Sequence, residues 1–121
     1  MVRLLDGGMA LLDVTVPPGA FDPALKTGWK VNKKTTKWTF VGPKTGAAGG
    51  ITKVVLADKS GKSPGSVAVA ITGKAGSYAA SPQVKADVIL PVSGACFEAA
   101  FPAVPPARPS CTLSRTTLKC K

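Results

Sequence analysis

The chain has 121 residues, 45% of them apolar, and a net charge of +10 from 16 Lys and Arg against 6 Asp and Glu. That length suits one domain, residues 1–121, and no apolar run reaches the length of a membrane-spanning helix. Histidine is absent and the acids Asp6, Asp13, Asp22, Asp58, Asp87 and Glu98 stand singly, so acid–base catalysis has no evident pair to work with.

Gly and Pro, 13 and 11 residues, favour short strands and turns over long helices. Ala10 to Val16 alternates, with Ala10, Leu12, Val14 and Val16 on one side and Asp13 and Thr15 on the other, and Pro17-Pro18-Gly19 stops the run. That is the pattern of a half-buried strand. The whole Met1–Val16 segment is a candidate pairing strand, in its own sheet or on a neighbouring subunit's sheet edge.

Gly28 to Asn32 and Lys37 to Val41 read as a hairpin turning between Lys34 and Thr35. This register sets Trp29 opposite Phe40 and Val31 opposite Trp38, all four on one buried face, with Lys30, Lys37 and Thr39 on the other. Stacking platforms for bases or sugars are the alternative role for the tryptophans. Gly42 to Gly50 is a flexible loop. Ile51 to Asp58 is a strand without clean alternation, which implies burial on both faces or a bulge.

Lys59 to Gly65 is a turn. Its Gly61-Lys62-Ser63 has the end of a phosphate-binding loop, but Leu56 stands where the upstream glycine is required, and the match is rejected. Ser66 to Thr72 alternates with Val67, Val69 and Ile71 inward, and Val84 to Val92 does the same. Gly94 to Phe101 is a further strand, and Pro102 to Pro109, with four prolines, is a stiff connection. Cys111 to Lys121 reads as a last hairpin about Arg115-Thr116, with Leu113 facing Leu118 and Cys111 facing Cys120. Eight or nine short strands imply an all-β fold, an antiparallel β-sandwich, Ig-like or related.

Eleven lysines lie between Lys26 and Lys85 against one acid, Asp58. Lys30, Lys33, Lys34, Lys37 and Lys44 surround the first hairpin as a basic patch, which Lys53, Lys59, Lys62 and Lys74 extend. Lysines without arginine forks suit diffuse charge neutralisation rather than base readout.

The three cysteines, Cys96, Cys111 and Cys120, are too few for a zinc site without histidine, so one disulfide with one thiol over is expected, in an oxidising compartment. The start Met1 to Leu5 is broken by Asp6-Gly7-Gly8 and does not read as an export signal.

Gly28-Trp29-Lys30-Val31-Asn32, Lys37-Trp38-Thr39-Phe40, Gly49 to Val54, Ser63-Pro64-Gly65, Gly73-Lys74 with Tyr78, and the tail of Cys96, Cys111 and Leu118 to Lys121 together form a pattern. It resembles a group of poorly characterised β domains in exported proteins of environmental bacteria. The resemblance spans roughly Leu11 to Lys121 and brings no assigned chemistry. It implies a secreted or cell-surface location and an upstream export signal. It also implies a Cys96–Cys111 disulfide, leaving Cys120 as a free thiol, whereas the hairpin geometry favours Cys111–Cys120.

The leading expectation is a non-catalytic extracellular structural or surface module, self-assembling as a homo-oligomer or filament through its N-terminal strand. The alternative is a basic module binding anionic polysaccharide or non-specific nucleic acid. No catalytic residue, cofactor, metal or specific small molecule is expected. A lone thiol without histidine is a poor nucleophile.

Overall fold

The computed structural model describes residues 2–6, 9–45, 48–74, 76–77, 86–92, 95–101, 103, 107–113 and 116–120. Ten antiparallel strands run through them: β1 (Val2–Asp6), β2 (Met9–Val14), β3 (Gly28–Val31), β4 (Lys37–Val41), β5 (Ile51–Asp58), β6 (Val67–Lys74), β7 (Ala86–Val92), β8 (Ala95–Phe101), β9 (Cys111–Leu113) and β10 (Thr117–Cys120). One sheet has the order β2-β1-β7-β8 and the other β3-β4-β5-β6-β10-β9. The all-β reading holds. Val84, Gly94, Tyr78, Arg115 and most of the proline-rich connection lie outside the described residues, as do the side chains of β7 and β8.

The β3–β4 hairpin has the expected register: Trp29 pairs with Phe40 and Val31 with Trp38. Asn32 builds its turn. The Asn32 Oδ1 accepts the N–H groups of Thr36 and Lys37, both at 2.9 Å, while its Nδ2 donates to Thr36 Oγ1. The irregular alternation of β5 has its cause in a register shift between Ile51 and Lys53.

Across the six-stranded sheet one row of residues runs edge to edge: Trp29, Phe40, Val54, Ile71, Cys120 and Cys111. All but Trp29 are at most 1% exposed, and with Ile51 and Leu118 they form the core. Trp29 packs on Phe40 with ring centroids 5.5 Å apart. Leu12, Val14 and Val16 pack against this core from the β2 side, as their alternation implies, while Ala10, expected on the same side, is exposed. Gly49, in the 3₁₀ turn Ala48–Gly50, admits that packing, because a Cβ there would sit 2.5 Å from Val14 Cγ1 and 2.7 Å from Leu12 Cδ1.

The next inward row, Val31, Trp38, Leu56 and Val69, is not closed over. Val31 is 51% exposed and Trp38 is half-buried, so the fully buried four-residue face expected for this hairpin reduces to Phe40 with partial cover of the tryptophans. Alternation chooses the face of a strand. It does not decide how much of that face other residues cover.

The N-terminal segment differs from a single strand. β1 pairs with β2 on one side and with β7 on the other, inside the chain's own sheet. β2, and not β1, stands at the sheet edge.

The disulfide expected from the resemblance is corrected. Cys111 is bonded to Cys120, and the pairing Cys96–Cys111 with Cys120 as a free thiol does not occur. The β9–β10 register places Cys111 directly opposite Cys120, with Cα atoms 4.1 Å apart. Cys96 belongs to β8 in the other sheet, opposite Pro91.

Candidate binding surface

The pleat that sends Phe40, Val54 and Ile71 inward sends their neighbours to the opposite, outer face of the six-stranded sheet. Three transverse rows make up that face. Lys30 leads to Thr39, Val55 and Ala70; Lys37 leads to Ala57 and Ala68; Val41 leads to Lys53, Thr72, Lys119 and Thr112. Lys74 follows opposite Thr117. None of these residues is buried, and all five lysines are exposed. Asp58 is the one acid in the six strands, and it lies at the end of β5.

The face therefore mixes alanines, threonines and two valines with the lysines Lys30, Lys37, Lys53, Lys74 and Lys119. Strands about 4.8 Å apart and residues about 3.3 Å apart along a strand put Lys30 about 8 Å from Lys37, and Lys53 about 10 Å from Lys119. Those separations are close to the Debye length of about 8 Å at physiological salt, so the charges add to one field. Flat neighbours such as Ala57, Ala68 and Ala70 leave the long lysine stems free to lie along the sheet.

Of the patch expected at the first hairpin, Lys30 and Lys37 belong to this face. Lys30 is pinned, its Nζ 3.6 Å from the centre of the Phe21 ring. Lys33 and Lys34 lie in the turn, and all these lysines are exposed. Lys44 is not brought together with them, since it follows the opposite end of β4, a strand about 16 Å long. The sheet adds Lys119, a residue outside the expected patch. Its signal is the alternation Leu118 buried, Lys119 exposed, Cys120 buried.

A second concentration lies at one end of the sheet. The Asp58 N–H donates to the Thr36 carbonyl at 2.8 Å, which sets the β3–β4 turn beside the β5–β6 loop. Lys33, Lys34 and Lys37 on one side thus share an end of the sheet with Lys59 and Lys62 on the other. Asp58 faces its own loop: its carboxyl is held below the usual aspartate range by the Ser60 hydroxyl and the Ser60 N–H, the latter at 2.8 Å from Oδ1.

The strap Pro17 to Asp22 covers the free side of β3. Phe21 N–H donates to the Trp29 carbonyl, Trp29 N–H donates to the Gly19 carbonyl, and Trp29 Nε1 donates to the Pro17 carbonyl at 3.1 Å. Gly28 permits this approach, since it has φ +115° and a Cβ there would collide with the Ala20 carbonyl. Both tryptophans lie on the inward side of the sheet, so neither is a stacking platform on the lysine face.

Among the described residues no three His, Cys, Asp or Glu side chains gather as a metal site, and no helix is long and apolar enough to cross a membrane. Compared with known protein families, curated proteins and solved structures, the chain matches none.

Proposed function

We propose that this chain is a non-catalytic, exported β module, its two sheets the layers of an Ig-like or related sandwich, that binds polyanions through the outer face of its six-stranded sheet. One observation carries the reading: Lys30, Lys37, Lys53, Lys74 and Lys119 share a face with no carboxylate in its rows. Such a face attracts any polymer of closely spaced negative charge, and each neutralised charge releases condensed counterions. The disulfide is compatible with an extracytoplasmic location.

The test is elution from immobilised heparin against a salt gradient. Wild type elutes late. Changing the five lysines together to Gln moves elution to low salt and reduces the dependence of log affinity on log salt by about one per lysine. An unchanged elution position in a variant with unchanged circular dichroism contradicts the reading.

A second reading is a self-assembling subunit, and the edge position of β2 favours it. A six-residue strand at a sheet edge presents backbone groups for pairing with another chain. In this form the contact is made by β2, because β1 already has a strand on each side. Light scattering on the purified protein separates the readings: a monomer at all concentrations removes assembly, and rings or filaments establish it.

A further inference from the structure

We infer that the ligand of this basic surface is a linear acidic polysaccharide, and that its strongest grip is the paired hairpin tip of Lys33, Lys34, Lys37, Lys59 and Lys62. The inference rests on the polyanion reading and deepens it. Three features of the molecule lead to it.

The tip is organised before any ligand arrives. The Asn32 side chain holds the first turn through Thr36 and Lys37, and the Asp58 carboxylate holds the second through Ser60. The two loops are tied together by the Asp58 to Thr36 backbone bond, and Lys62 N–H and Ser63 N–H both donate to the Lys59 carbonyl. Lysines standing on fixed backbone lose less conformational freedom on binding than lysines on a mobile loop. The lysines of the open face stand on paired strands that are no less fixed, and what sets the tip apart is that two loops bring Lys33, Lys34, Lys37, Lys59 and Lys62 to one end of the sheet.

Among the described residues no ring lies on a tip lysine, and the one ring that meets a lysine of the wider surface is Phe21, beside Lys30. No aromatic residue lies in the outer rows, and the nearest ones on these strands, Trp29, Trp38 and Phe40, are in the inward rows. Single-stranded nucleic acid is held by aromatic stacking as well as charge. No arginine occurs in β3 to β6, in β9 and β10, or in the two tip loops, so the bidentate fork that reads guanine edges is absent there too. Lysine meets sulfate, carboxylate and phosphate alike as a point charge, so what favours a sugar chain is the want of base contacts at the tip and not the anion itself.

The disulfide between β9 and β10 sits in the core of the same sheet. Disulfides persist in oxidising surroundings, where cell-surface and secreted polysaccharide, and not the genome, is the abundant polyanion.

The experiment compares two triple variants of the whole chain, Lys33→Gln/Lys34→Gln/Lys62→Gln at the tip and Lys53→Gln/Lys74→Gln/Lys119→Gln on the face. Binding is measured at fixed salt to a heparin oligosaccharide, a DNA duplex and a single-stranded oligo-dT of matched total charge. All six lysines are exposed, and circular dichroism confirms that each variant is folded. The tip variant is expected to lose heparin affinity at least tenfold and the face variant only a few-fold, with heparin bound tighter than either DNA. Equal losses from tip and face overturn the tip assignment. A duplex or oligo-dT bound as tightly as heparin overturns the polysaccharide assignment. No binding to any of the three polymers at low salt removes the polyanion reading itself, and the inference with it.

Discussion

Replacing Phe40 by Ala probes the row that joins the six strands. Phe40 is 1% exposed, lies between Trp29 and Val54 in the transverse row, and meets the Trp29 ring at a tilt, with centroids 5.5 Å apart. Truncation removes a buried aromatic ring and leaves a cavity walled by neighbouring strands that pair on both sides and cannot collapse freely. Such changes cost about 3–5 kcal/mol. Part of that cost is the lost ring contact with Trp29, about 0.5–1.5 kcal/mol for an aromatic pair. With a urea m-value of about 2 kcal/mol/M for a domain of this size, the midpoint falls by about 2 M. Tryptophan fluorescence in urea reads it directly. Trp38→Ala, made at a half-buried position in the next row, should cost clearly less. If Trp38→Ala costs as much as Phe40→Ala, or Phe40→Ala costs less than about 1.5 kcal/mol, the core lies elsewhere and the row argument fails.

Gly28→Ala should destabilise by about 1–3 kcal/mol, because a positive φ and the Ala20 carbonyl both oppose a side chain there; a thermal melt with an unchanged midpoint refutes the strap. Non-reducing peptide mapping should recover a Cys111–Cys120 peptide, with Cys96 as the one cysteine left without an intrachain partner; a Cys96–Cys111 peptide contradicts the fold of β9 and β10. Changing both bonded cysteines to Ser should cost about 2.5 kcal/mol on the loop-entropy model for a separation of 9 residues, and no change in the urea midpoint would contradict it. The Asp58 carboxyl is lowered by Ser60, so the loop it caps is fully ordered above the ordinary aspartate range and loosens only as pH falls through the lower folded value. In an NMR titration Asp58 and the Ser60 amide should share a midpoint below that of a free aspartate, and a midpoint at or above it contradicts the cap.

Much of the fold follows from short-range pattern. The alternation of residues 28–41 with a turn at Lys34-Thr35 defines the β3–β4 register, and Leu113 facing Leu118 defines β9–β10. Long-range order is another matter. That Lys119 stands two strands from Lys53 depends on β10 lying beside β6, a neighbour relation that no local periodicity encodes. The same gap explains Val31, whose alternation is right and whose exposure depends on which distant residues cover its face. It explains the N-terminus too, where Met1–Val16 reads as one alternating stretch and folds as two strands on either side of Gly7-Gly8. In the cysteine tail the hairpin geometry pointed to the observed bond, and the pairing implied by resemblance pointed away from it.

The polyanion account is tested most directly by lysine acetylation footprinting, read by mass spectrometry, with and without saturating heparin. The account predicts strong protection of Lys33, Lys34, Lys37, Lys59 and Lys62, weaker protection of Lys30, Lys53, Lys74 and Lys119, and little change at Lys26 and Lys44. Protection spread evenly over every lysine, Lys26 and Lys44 included, would contradict it.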